Sequence, residues 1–167
     1  MTTRLLDVNV LIALAWPNHV HHESAQRWFA ESGRKAWATC PLTQLAFVRI
    51  SSNPAIVPAA VSPRQAVRLM ADVTAQPGHE FWPDALELTG VAEFSAAALV
   101  GHRQVTDAYL VALARSHGGR LATLDRGVAD LVPDPRERAE VIEIIEAARQ
   151  VQERRPRPYR VQKGGQI

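Results

Sequence analysis

Apolar positions along the chain follow two rhythms. Short runs such as "RLLDV", "KAWATC", "HEFWP" and "RLATL" are apolar without clear alternation, the pattern of strands buried on both faces. "AEVIEII" offers a fifth. Between them lie segments with helical spacing. "NVLIALAW" is ended by Pro17. "HHESAQRWFAESG" places Ala25, Trp28 and Phe29 on one face and stops at Gly33. Pro41 suits the first turn of "PLTQLAFVRISS". "PRQAVRLMADVTA" runs from Ser62-Pro63 to Pro77-Gly78. "VTDAYLVALARSH" closes on Gly118-Gly119, in the manner of a left-handed C-cap. "DALEL" and "SAAALVG" are predicted as short helical pieces. Strands alternating with helices predict an α/β sandwich: a short parallel central sheet of four to five strands flanked by helices.

Composition sharpens this picture. The chain has 167 residues, enough for one domain with a full core. Its apolar fraction of 47% is ordinary. Cys40 is the single cysteine, so no internal disulfide forms, which fits a reducing compartment. No uncharged apolar run reaches the ~18 residues of a membrane span, and Asp7 and Asn9 interrupt what would be a signal-peptide core. A soluble, cytoplasmic protein is expected, with no membrane association. The net charge of +2 hides an asymmetry. Residues 146–167 hold Arg149, Arg154, Arg155, Arg157, Arg160 and Lys163 against Glu146 and Glu153. The expected organisation is therefore a domain over 1–145 and a basic, partly disordered extension over 146–167. Solvated disorder leads for that extension, ahead of RNA contact and partner contact. A mildly acidic body is not a broad positive face for coating nucleic acid. It still permits an enzyme that grips phosphates locally, because bound cations reverse the sign of an acidic pocket.

Three aspartates carry the candidate chemistry. Asp7 closes the first strand, Asp125 closes "RLATLD", and Asp107 lies in the first turn of "VTDAYL". In an open parallel sheet, strand C-termini and helix N-termini share one edge, where crevices form. Each acid also has a plain structural reading: Asp7 as a helix cap, Asp107 as a complement to the helix dipole, Asp125 as the start of the "DRG" turn. Gathered together, unpaired carboxylates would repel and force one to hold a proton. A divalent cation removes that conflict, and an all-oxygen donor set suits Mg²⁺ or Mn²⁺. Zinc fits poorly, since no Cys/His ligand spacing is present. Both the structural and the metal readings stand at this point.

"LLDVNVLIAL", "HVHHESAQRWF", "CPLTQLAFVRISSNP" and "VTDAYLVALARSHGGRLATLD", in this order, resemble the PIN-domain family, and more narrowly the VapC-type ribonuclease toxins of bacterial toxin–antitoxin operons. The likeness runs from about Thr3 to Val132. It implies a PIN-like α/β/α sandwich and a metal-dependent endoribonuclease that cuts single-stranded or looped RNA, leaving a 5′-phosphate and a 3′-hydroxyl. Asp7, Asp107 and Asp125 match the family's metal ligands, and Asn9 matches the polar residue after the first aspartate. Gln44 stands where many members carry a glutamate, so the site loses a negative charge and a second metal position is weakened. Asn9, Gln44 and Thr106 would orient ligands or water. Arg49 either reaches a phosphate or joins an ion pair on its helix. The resemblance further implies a VapB-type antitoxin as partner and a homodimer.

Two rival readings follow from the residues. Aspartate-nucleophile phosphatases need a second aspartate two residues after the first, and this chain has Asn9 there. A catalytically weak PIN-like protein acting through antitoxin or RNA binding is kept alive by Gln44. His19, His21 and His22 do not have H-E-x-x-H spacing and are read as residues of a helix start. Trp16, Trp28, Trp37 and Trp82 are read as core or interface, and Cys40 as a buried thiol.

Overall fold

The computed structural model describes residues 1–91, 99, 101–102 and 104–146. The expected helical piece "SAAALVG" falls largely outside them, as does the basic extension beyond Glu146.

The first half runs β1 (Arg4–Leu6), α1 (Val8–Ala15), α2 (His22–Glu31), β2 (Trp37–Thr39), α3 (Pro41–Ser51), α4 (Pro63–Thr74) and β3 (His79–Phe81). The second runs α5 (Gln104–Ser116), β4 (Arg120–Thr123), a 3-10 helix over Arg126–Leu131, α6 (Pro135–Val141) and β5 (Ile142–Ile144). The five strands form one sheet in the order β3-β2-β1-β4-β5, and every pairing is parallel.

The continuous apolar strands are explained by two cores. Leu5, Ala38 and Leu121 face a cluster built on Ala108, Leu110, Val111 and Leu113 of α5. Leu6, Trp37 and Ala122 face the opposite cluster, with Val10, Leu11, Phe47 and Met70 from α1, α3 and α4. Successive side chains point to opposite faces, and here both faces are covered.

Local signals set several boundaries. Ser62 caps α4 by accepting from Gln65 N, and the Gln65 side chain answers to Ser62 N in a capping box. Gly118 ends α5 at φ +62, a left-handed position that favours glycine. Gly119 lies so close to the Trp82 ring and Thr3 O that an added Cβ would sit 2.5 and 2.6 Å from them.

Two expectations need correction. "DALEL" is not helical: residues 84–87 are irregular, and only a 3-10 turn at Leu88–Gly90 follows. Of residues 83–90 only Leu86 is partly buried, so no apolar stripe rewards a helix too short to persist unaided. α6 was not anticipated, although "DPRE" is a start signal: Asp134 Oδ1 accepts from Arg136 N and Glu137 N at 2.9 Å each.

Candidate active site

The chain lays β1, β2 and β3 to one side, then returns to lay β4 and β5 on the other. The order reverses between β1 and β4, and in open α/β sheets the crevice forms at the strand C-termini beside such a reversal. Asp7 follows β1 and Asp125 follows β4 by two residues. Asp107 belongs to the first turn of α5, the helix packed over this part of the sheet.

Asp7 occupies the N-cap position of α1, with φ −61° and ψ 152°, but its side chain makes no cap hydrogen bond. Instead Oδ2 accepts from Asn9 Nδ2 at 2.7 Å and from Thr123 Oγ1 at 2.7 Å. Asn9 Nδ2 also donates to Thr123 Oγ1 at 2.9 Å, and Asn9 Oδ1 accepts from Leu124 N at 3.1 Å. Thr123 Oγ1 accepts in turn from Asp125 N at 3.1 Å. One fully buried hydroxyl thus ties the strand ends that carry two of the acids. Asp7 is itself only 5% exposed. Burial pushes its carboxyl above the ordinary aspartate range, and the bond from Thr123 and the Val8 and Asn9 amides pull back against it.

Asp125 does what its plain reading requires. Its Oδ1 accepts from Gly127 N at 2.7 Å and caps the 3-10 helix. Asp107 accepts no hydrogen bond among the described residues. Its carboxyl is pushed up to about 6, first by burial, then by the charges of Asp7 and Asp125. The three acids therefore share one electrostatic field, though 118 positions separate the first from the last.

Sharing a field is not the same as sharing a ligand. Among the described residues, no three His, Cys, Asp or Glu side chains are gathered tightly enough to enclose a metal ion. This covers the acids and also His19, His21 and His22. The donor chemistry still fits a hard cation: three carboxylates on a half-buried edge, one of them without a hydrogen-bond partner among the described residues.

Among the described residues, no hydrogen bond joins the remaining candidates, Gln44, Thr106 and Arg49, to an acid. Gln44 Nε2 donates to Thr39 Oγ1 at 2.9 Å, and Thr39 Oγ1 lies 2.8 Å from His79 Nε2. The Gln44 amide thus turns toward β2 and β3, and no hydrogen bond joins it to an acid. Thr106 is exposed in the first turn of α5. Arg49 is exposed on α3 and forms no ion pair among the described residues. Thr123 is the residue that sequence reasoning missed. It lies inside the quoted "TLD", but only as an apolar strand's last residue.

A parallel sheet reversing beside β1, with this acid-bearing edge, defines a class of protein. A PIN-domain family model matches residues 4–132, and the chain belongs to the PIN-domain family. Its relatives include Ribonuclease VapC39 of Mycobacterium tuberculosis, 49% identical over 128 residues, which are 77% of this chain and 92% of that protein. Ribonuclease VapC29 of the same organism is 50% identical over 132 residues, 79% of this chain and 92% of that one. Among solved structures, VapBC2 from Rickettsia felis, bound to a DNA fragment from its promoter, superposes with a TM-score of 0.57. That likeness, at 10% identity over 86% of this chain and 99% of the other, is one of fold.

Proposed function

We infer that this chain is a metal-dependent endoribonuclease, the toxin of a toxin–antitoxin pair, which cuts single-stranded or looped RNA. Its high identity to VapC ribonucleases over most of the chain supports the activity. The observation that carries the site is the linkage of Asp7 to Asp125 through Thr123, with Asp107 feeling both charges.

Asp7, Asp107 and Asp125 would hold Mg²⁺ or Mn²⁺, directly or through water. A divalent ion there supplies positive charge to a phosphate oxygen and lowers the pKa of a bound water. The chain's own residues do the positioning. Thr123 and Asn9 hold Oδ2 of Asp7, which fixes the carboxylate's orientation. The Gly127 amide takes Oδ1 of Asp125 and so holds that side chain at the start of the 3-10 helix. Single-stranded RNA suits such an edge because its unpaired backbone can enter a narrow crevice.

The partner is a VapB-type antitoxin that lays a segment on the acidic edge. An arginine reaching these carboxylates would meet the same charge deficit as a metal. A homodimer is the expected assembly. One observation favours a second reading, a weakly catalytic protein acting through its partners: Gln44 is engaged with Thr39 and adds nothing to the acids.

Sequencing of RNA 5′ ends after induced expression, beside an Asp7→Asn control, tests the activity. New ends that depend on Asp7 support it. Identical ends in both samples refute it.

A further inference from the structure

We propose that Gln44, Thr39 and His79 form a proton-reading relay, in which the charge on His79 decides which end of the Gln44 amide is bonded to Thr39 and which is left free. It holds whether or not the chain cuts RNA. Three elements meet in it: Thr39 ends β2, His79 opens β3, and Gln44 belongs to the first turn of α3. Gln44 Nε2 donates to Thr39 Oγ1 at 2.9 Å, and that oxygen lies 2.8 Å from His79 Nε2. Thr39 is fully buried, and its hydroxyl proton has no other acceptor among the described residues. A buried hydroxyl left without an acceptor is unfavourable, so the proton goes to Nε2. The neutral ring therefore carries its own proton on Nδ1. Gln44 Oε1 is the free end, since it accepts no hydrogen bond among the described residues.

Protonation of His79 reverses every donor in this chain of bonds. Nε2 then carries a proton and must donate to Thr39 Oγ1. The Thr39 proton needs a new acceptor. Gln44 Oε1 takes it once the amide turns over, and Gln44 Nε2 becomes the free end. Gln44 is half-buried and lines the groove between α3 and α4, beside Leu45, Val48, Val67, Met70 and Phe81. Thr74 is the other polar residue of that lining, and its hydroxyl donates to Ala71 O at 3.1 Å. The relay thus changes the groove's free polar group from an acceptor to a donor. The surroundings of the ring favour its neutral form at pH 7. Burial holds His79 below the ordinary histidine value, and Glu80 beside it on β3 pulls the other way. The Trp37 ring of β2 packs on it with centroids 4.6 Å apart. β2 carries no charged side chain, α3 brings only Arg49, α4 brings Arg64, Arg68 and Asp72, and the turn before β2 brings Arg34 and Lys35. Among the described residues, no hydrogen bond or ion pair joins any of these to the ring.

The test is an NMR titration of the full, isotope-labelled chain across the histidine range, without metal. At the alkaline end, the His79 ring should show Nδ1 protonated and Nε2 bare. The Gln44 side-chain amide signals should move with the same midpoint as His79. Thr39→Val should abolish that shared midpoint, and Thr39→Ser should keep it. If Thr39→Val does not fold, substitutions at Gln44 decide the matter. Methionine gives the Thr39 proton no acceptor once His79 is charged, so Gln44→Met should lower the His79 midpoint by about one pH unit. Glutamate accepts that proton whatever the state of the ring, so Gln44→Glu should raise the midpoint by a similar amount. A neutral ring protonated on Nε2 would overturn the proposal. So would Gln44 amide signals that stay still as His79 titrates, a shared midpoint that survives in Thr39→Val, or a His79 midpoint that moves the same way in both Gln44 variants or in neither.

Discussion

Thr123 Oγ1 donates to Asp7 Oδ2 at 2.7 Å, across 116 positions of sequence. A threonine that is fully buried at the end of β4 thus holds a carboxylate whose pKa burial pushes up, and its hydroxyl bond works against that push. Three further bonds from Asn9 and the Asp125 amide converge on the same pair. Orientation of the first acid is thus set jointly by the end of β4, through Thr123, and by the first turn of α1, through Asn9.

Asp7→Asn is expected to abolish RNA cutting and leave the fold intact. The amide is nearly isosteric, and it removes a charge that burial penalises, so Tm should be equal or higher. Cleavage of labelled RNA beside a thermal melt checks both halves. Unchanged cutting by the folded variant would contradict the site.

Thr123→Val and Thr123→Ser should separate. Valine keeps the shape and removes the hydroxyl, leaving Asp7 Oδ2 and the Asp125 amide short of a partner, at a cost of about 1–3 kcal/mol. Serine keeps the hydroxyl and loses one methyl, about 1 kcal/mol. Urea unfolding measures the stabilities. The cutting rate should fall more for valine than for serine.

The metal-free protein should gain stability as pH falls from 7 toward 5. The Asp107 carboxyl sits at about 6 against an ordinary 3.8, so the folded state binds its proton more tightly than the unfolded state. The penalty is complete above the folded value and relieved below it. A shift of this size corresponds to at most about 3 kcal/mol, which solvent screening reduces to about 1–2. His19 and His79, both held below the ordinary histidine value by burial, oppose the trend. Subtracting the profile of Asp107→Asn isolates the aspartate. Parallel profiles for the two proteins would refute the assignment.

Calorimetric titration with Mg²⁺ or Mn²⁺ should show binding that Asp107→Asn weakens. At a hundredfold excess over Kd, the metal should stabilise the wild-type fold by about 2.7 kcal/mol. Absence of heat and of any shift in Tm would favour the partner-binding reading.

Gln44→Glu should raise the pKa of His79. Glutamate has no N–H to give Thr39 Oγ1, and the Thr39 proton then turns to the new carboxylate. His79 Nε2 must donate instead, which favours its protonated form. NMR titration of the His79 ring protons reads this directly.

Much of the fold was legible because its signals are local. The three central strands β2, β1 and β4 are short, mostly apolar runs flanked by turn or cap residues, and buried strands of this kind read as continuous rather than alternating, whereas edge strand β3 is largely exposed. "DALEL" misled because helix-forming composition says nothing about whether a face will be buried. α6 was missed although Asp134 and Pro135 announce it. At the site, the identities of the three acids were visible, since carboxylates at strand and helix ends have few uses. The part played by Thr123 was hidden, because a threonine closing an apolar strand looks like any β-branched residue until its partner across the sheet is known. The direction of Gln44 was hidden for a different reason: its partner, Thr39, is only five residues earlier, but residue type alone does not say whether an amide turns back to the preceding strand or out toward the acids.

Spacing and residue type along the chain were enough for the elements, the parallel sheet and the chemical character of the site, since these depend on near neighbours and on which side chains avoid water. Strand order, the reversal between β1 and β4, the hydroxyl shared by Asp7 and the Asp125 amide, and the edge from which residue 146 departs all required the assembled sheet. They arise from hydrogen-bonded pairing between segments far apart in the chain, β1 with β4 across more than a hundred residues, and no local propensity encodes which distant segment a strand will meet.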